Sequence, residues 1–159
     1  MINEPEAYAQ KFLDAGSDLL SIHAEVLSGS RFDDLYSLVS SRGKEIGLAI
    51  KPNTDLPAWA VARLEKLSCV VVMTVNPGFS GQSMDLSVMP KLAKISGMLE
   101  AAGSGADVEV DGGVDLGNVH EVVKRGGNVL VAGAGVYGAS DPVKTIGLLR
   151  ERARAARGE

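Results

Sequence analysis

Five apolar, β-prone runs in this 159-residue chain each end in residues that can do chemistry. LLSI runs into His23-Ala24-Glu25, and IGLAI into Lys51-Pro52-Asn53. CVVVM is followed by Thr74-Val75-Asn76-Pro77-Gly78, DVEV by Asp111-Gly112-Gly113, and NVLVA by Gly133-Ala134-Gly135. Titratable side chains lead, and glycine turns follow. An imidazole and a carboxylate at the open ends of different strands could share a divalent cation, although protein metal sites use three or four ligands. Taken alone, a histidine such as His23 is more often a hydrogen-bonded structural residue than a ligand, and Asp111 more often a turn or helix cap.

The glycine turns point to a different chemistry. Gly78-Phe79-Ser80-Gly81, Gly112-Gly113 and Gly133-Ala134-Gly135 offer little side-chain function but many main-chain N–H groups. Converging N–H donors ahead of a helix make a seat for a phosphate dianion, and glycine lets the anion approach without a Cβ in the way. A single glycine pair also ends a strand for steric reasons alone. Three such turns in succession favour the anion.

The elements that must carry these ends follow from periodicity. Helical spacing is expected over 5–15, 32–39, 57–67, 85–102, 116–125 and from Asp141 onward, with strands at 18–25, 46–52, 69–75, 107–113 and 128–135. Asp141-Pro142 reads as an N-cap followed by proline at the first helical position. Pro90 either kinks the 85–102 helix or marks its true start. Strands alternating with helices imply an α/β fold with a parallel sheet and right-handed crossovers. In such sheets function collects at the carboxyl ends of the strands, and in closed eight-stranded barrels the last turns grip phosphate.

Composition narrows the partners. The chain is 45% hydrophobic and 23% charged with a net charge of −4, which disfavours wholesale nucleic-acid binding. Arg150, Arg152, Arg154 and Arg157 alternate with Glu151 and alanines as a solvated helix face. Cys69 is the only cysteine, so no intrachain disulfide or thiolate cluster forms, and its apolar setting suits an inert thiol. His120 falls within a helix and is given no role. No apolar run approaches the ~20 residues of a membrane span, and MINEPEAYAQ does not read as a signal peptide. A cytoplasmic protein is expected, with no nucleic-acid or membrane partner.

The strings VVVMTVNPGFSGQ, VEVDGGV, LLSIHAE and VLVAGAGVYG closely resemble the ribulose-phosphate 3-epimerase family, in order and over essentially the whole chain. The resemblance implies a (β/α)8 TIM barrel, here incomplete, with about five parallel strands and six helices in one partial domain over residues 1–159. It implies an isomerase of the pentose-phosphate pathway that interconverts ribulose 5-phosphate and xylulose 5-phosphate. Two carboxylates would transfer the C3 proton on opposite faces, and a divalent zinc, iron, manganese or cobalt ion would stabilise the enediolate.

By the same match, Asp111 would be the second carboxylate and a metal ligand, and His23 a metal ligand that also faces the substrate. Met73 would cap the site against water. Gly78, Phe79, Ser80, Gly81, Gly112, Gly113, Gly133 and Ala134 would surround the phosphate of a small sugar-phosphate substrate. Ser80 stands where the family commonly has glycine, and Ala134 where it has serine. Either change weakens phosphate binding by about 1 kcal/mol.

Met1-Ile2 resembles the end of the family's third strand. By the resemblance, the family's first three strands would supply a serine near the substrate, a second metal-binding histidine and the first catalytic aspartate. Glu25 is the nearest acidic residue but shares a strand with His23. Little or no turnover is therefore expected of these 159 residues. A catalytically silent binder of a sugar phosphate or partner chain, and an epimerase for a ketohexose 6-phosphate, remain alternatives. A homo-oligomer is also open, because five strands leave unpaired edges.

Overall fold

The computed structural model describes residues 1–159. Five strands, β1 (Leu19–His23), β2 (Glu45–Ile50), β3 (Cys69–Met73), β4 (Asp107–Asp111) and β5 (Val129–Val131), pair in the order 1-2-3-4-5. Every pairing is parallel. Each crossover advances the sheet by one strand in the same direction, so right-handed connections put the helices on one face. That is the winding of a (β/α)8 barrel rather than of a doubly wound sheet. The arc is not closed: β1 and β5 are its two edges.

Around the strands run α1 (Glu6–Asp14), α2 (Gly29–Ser41), α3 (Ala58–Val61), α4 (Met89–Ala101), α5 (Val119–Lys124), α6 (Ala134–Tyr137) and α7 (Pro142–Arg157). Seven helices replace the six expected, because the chain takes one extra helical turn, α6, after the last strand. The 57–67 helix shrinks to α3 and a separate 3₁₀ turn at Leu64–Lys66. Pro90 sits in the first turn of α4, where its missing N–H costs nothing, and a 3₁₀ turn at Leu86–Val88 precedes it. Asp141 caps α7 by accepting from the Lys144 N–H at 2.9 Å, as its sequence context predicts.

Alternation along the strands divides the sheet into two faces. Ile22, Ile46, Leu48, Ile50, Val70, Val72, Val108 and Val110 lie in the main core with helix residues such as Phe32, Leu35, Val39, Leu92, Ile95 and Leu99. Ser21, His23, Ala49, Val71, Met73, Glu109 and Asp111 line a cavity on the strands' other face. The central strands β2 and β3 are buried almost throughout, whereas β1 and β5 are partly exposed. No helix is long and apolar enough to cross a membrane.

All five strands stop short of their sequence expectation at the carboxyl end, β5 by four residues and the rest by two. The residues released from the ladder include the nominated Gly112, Gly113 and Gly133, while His23, Met73 and Asp111 end their strands. A backbone that leaves the sheet frees its N–H groups for other partners.

Candidate functional site

The ends of β3, β4 and β5 form one cavity of about 450 Å³. Its walls are the 75–82 loop, the Asp111–Val114 turn and Val131 with Gly133–Gly135. Met73, Gly78, Phe79, Ser80, Gly81, Asp111, Gly112, Gly113, Gly133 and Ala134 all line it, so ten of the eleven residues nominated from sequence meet in one place. His23 is the exception. It lines a neighbouring cavity of about 530 Å³ on the strand face, and the two cavities share Met1, Met73 and Asp111.

The turns are held by side chains. Thr74 is fully buried and its hydroxyl lies within hydrogen-bonding distance of the Asp111 and Gly112 carbonyl oxygens, while its N–H donates to Asp111 O at 2.9 Å. Gln82 closes the preceding loop, its Nε2 donating to Asn76 O and Phe79 O, both at 2.8 Å. Asn118 Nδ2 donates to Gly113 O at 2.8 Å. These clamps engage backbone carbonyl oxygens of the turns rather than their N–H groups. Thr74 and Asn118 carry no sequence signal for this task, because each reaches a partner on another element or turn.

The glycines divide by cause. Gly112 and Gly113 have φ of +126° and +63°, and a Cβ would meet Val75 Cγ2 at 2.6 Å and Met84 N at 2.5 Å respectively. The fold itself requires them. Gly133 has a negative φ of −75° and nothing within 4 Å of a Cβ position. Packing therefore gives no reason for glycine at 133.

The strand-face cavity has a different chemistry. His23 Nδ1 lies 3.0 Å from Glu25 Oε2, and Glu25 Oε1 accepts from the Lys51 N–H at 2.8 Å. Burial pushes the Glu25 carboxyl up, but the hydrogen bonds from Lys51, Thr54 and His23 outweigh it and the net direction is down. Glu109 moves the other way: burial raises it, with further upward pressure from the Asp111 and Asp107 charges. Cys69 is buried, and desolvation with the nearby Glu109 and Asp107 charges pushes its thiol up to about 12, a setting that disfavours the thiolate. His120 is exposed on α5.

No three His, Cys, Asp or Glu side chains converge as a metal cage. His23 and Asp111 border the same cavity but remain a pair, and His23 Nδ1 is already engaged by Glu25. The residues present do not by themselves complete a metal site.

Residues 1–137 match the Ribulose-phosphate 3 epimerase family. The chain is 38% identical over 152 residues to the ribulose-phosphate 3-epimerase of Bacillus subtilis, covering 94% of this chain and 68% of that protein. It is 36% identical to the chloroplastic ribulose-5-phosphate-3-epimerase of Arabidopsis thaliana, covering 98% of this chain and 55% of that one. The chain thus spans just over half to two thirds of the length of these relatives. Among solved structures, 3-hexulose-6-phosphate synthase from Salmonella typhimurium superposes with a TM-score of 0.67 at 20% identity, over 94% of this chain and 68% of that one. Orotidine 5'-phosphate decarboxylase from Pyrococcus horikoshii gives 0.61 at 17% identity, over 99% and 69%. At these identities the structural matches speak for the fold. With the family profile matching most of the chain, and with its glycine turns and Asp111 gathered around one cavity, this chain belongs to the ribulose-phosphate 3-epimerase family.

Proposed function

We propose that this chain carries the phosphate grip and one proton-transfer carboxylate of an isomerase that interconverts D-ribulose 5-phosphate and D-xylulose 5-phosphate at C3. The observation that carries the reading is the single cavity shared by three glycine turns and Asp111. At about 450 Å³ it falls in the range of small-molecule sites. The substrate phosphate is held by main-chain N–H groups of the 78–81, 112–113 and 133–134 turns. The sugar then runs toward the adjoining strand-face cavity, with C3 near Asp111.

Asp111 exchanges a proton with C3 on one face of the planar intermediate, and Met73, buried between the two cavities, excludes water from it. Inversion needs a second carboxylate on the opposite face. Glu25 is a poor candidate, since both its oxygens are hydrogen-bonded and its carboxyl is held acidic. A divalent ion bound through His23 and Asp111 needs further ligands to complete its shell, so no step is assigned to it.

The test is C3 hydrogen exchange and epimer interconversion with ribulose 5-phosphate in deuterated water, with and without a divalent metal, beside a binding measurement on the same 159-residue chain. Binding with slow or absent inversion is expected. Asp111→Asn should abolish residual exchange while changing phosphate affinity by no more than about 0.5 kcal/mol, roughly twofold. Robust inversion overturns the single-carboxylate reading, and failure to bind any sugar phosphate overturns the grip. A ketohexose 6-phosphate offered in parallel distinguishes the substrate class.

A further inference from the structure

We propose that Glu25 and Lys91 are positioning residues that lock the His23 imidazole as its Nδ1–H tautomer, so that Nε2 presents its lone pair to the cavity it shares with Asp111. The functional meaning of that lone pair rests on the reading of this cavity as the reaction chamber; the tautomer itself does not.

The assembly is continuous. One oxygen of Glu25 meets His23 Nδ1 at 3.0 Å, and the other accepts from the Lys51 N–H at 2.8 Å. An ionised carboxylate only accepts, so the hydrogen between Glu25 and His23 belongs to Nδ1. In a neutral imidazole that leaves Nε2 as the acceptor.

Lys51 is itself pinned from its other side. Lys91 Nζ donates to Lys51 O and Pro52 O, both at 2.7 Å, and to Thr54 O at 3.0 Å. Three ammonium hydrogens meet three carbonyls, which uses the full donor capacity of the group. Lys91 stands in the first turn of α4, so that helix fixes the loop after β2, the loop fixes Glu25, and Glu25 fixes the ring. The half-buried Lys91 ammonium spends its donors on a loop carbonyl cluster and is left with none for a ligand. Its job is the loop.

A merely structural tie between the ends of β1 and β2 would hold the chain together without dictating which ring nitrogen carries the proton. Ring ¹⁵N spectroscopy separates the two. The chain has only two histidines, and exposed His120 serves as an internal reference for an unconstrained ring. Neutral imidazole in water favours the Nε2–H form.

At a pH where both rings are neutral, long-range ¹H–¹⁵N correlations of the 159-residue chain should show His23 with a pyrrole-like Nδ1 and a pyridine-like Nε2, opposite to His120. Glu25→Ala should return His23 to the pattern of His120, and Lys91→Met should move it part of the way. A wild-type His23 that carries its proton on Nε2 overturns the proposal with no variant needed. So does a folded Glu25→Ala protein with an unchanged His23. An unchanged His23 in folded Lys91→Met removes Lys91 from it. Since no substrate is present, loss of the epimerase reading in the exchange assay would leave this result standing, and the reverse holds as well.

Discussion

Gly133→Ala separates ligand binding from folding at the glycine turns. Its backbone has a negative φ, and a Cβ there meets nothing within 4 Å. Folding stability should therefore change by no more than about 0.5 kcal/mol, as for a substitution away from packed or strained features. Under the proposed function, the same methyl would enter the space of the phosphate. Losing one charged hydrogen bond costs about 1.5–3 kcal/mol, which is roughly a 10- to 150-fold loss of affinity. Gly135→Ala is the contrasting control. Its Cβ would collide with the Val114 carbonyl oxygen, so the backbone must shift and stability should fall by about 1–3 kcal/mol. Urea unfolding measures the first quantity, and calorimetric titration with ribulose 5-phosphate or inorganic phosphate the second. A Gly133→Ala protein with wild-type stability and wild-type affinity would refute the phosphate assignment of the 133–134 turn. One destabilised as much as Gly135→Ala would refute the claim that the turn is open.

Thr74→Val keeps the shape but removes the hydroxyl that faces the Asp111 and Gly112 carbonyls; the buried site should lose about 1–3 kcal/mol, read by urea unfolding, and weaken phosphate binding as the turn loosens. Asp33 accepts hydrogen bonds from Arg63 and Lys66, which hold its carboxyl well below the ordinary value of 3.8. A depressed carboxylate stabilises the fold above its unfolded-state value and loses that contribution as pH falls through the folded-state one. Asp33→Asn should thus be less stable than wild type at neutral pH, with the gap starting to close below the ordinary value of 3.8 and continuing to close as pH falls toward the lower folded-state value; a gap independent of pH would count against the ion pairs. The open edges β1 and β5, with Leu19, Val131, Tyr8 and Phe12 partly exposed, should give concentration-dependent self-association in light scattering. A monomer at high concentration would show that the edges are protected.

Much of this molecule is legible along the chain because the deciding forces are local. The β-branched run at 69–73, the change of period between strands and helices, and the Asp141-Pro142 helix start each depend on residues within a few positions of one another. The glycine turns were legible too, since a chain that leaves a buried strand through Gly112-Gly113 needs the positive φ that glycine tolerates. From the same locality came the two errors of extent, the shortened 57–67 segment and the extra turn at Ala134–Tyr137. Short helices depend on packing more than on propensity.

What the tertiary structure alone decided is who shares a cavity with whom. His23 and the glycine turns read alike as strand ends, yet His23 joins the strand-face cavity and the turns join another, with only Met1, Met73 and Asp111 common to both. The holding contacts are equally invisible in sequence: Glu25 reaches Lys51 across 26 positions, Thr74 reaches the Asp111–Gly112 carbonyls across 37 and 38, and Lys91 reaches Lys51 across 40. Such bonds follow no period, because their partners are brought together by strand register and helix packing rather than by chain spacing. The sequence therefore determined which residues could act, and the folded sheet determined which of them act together.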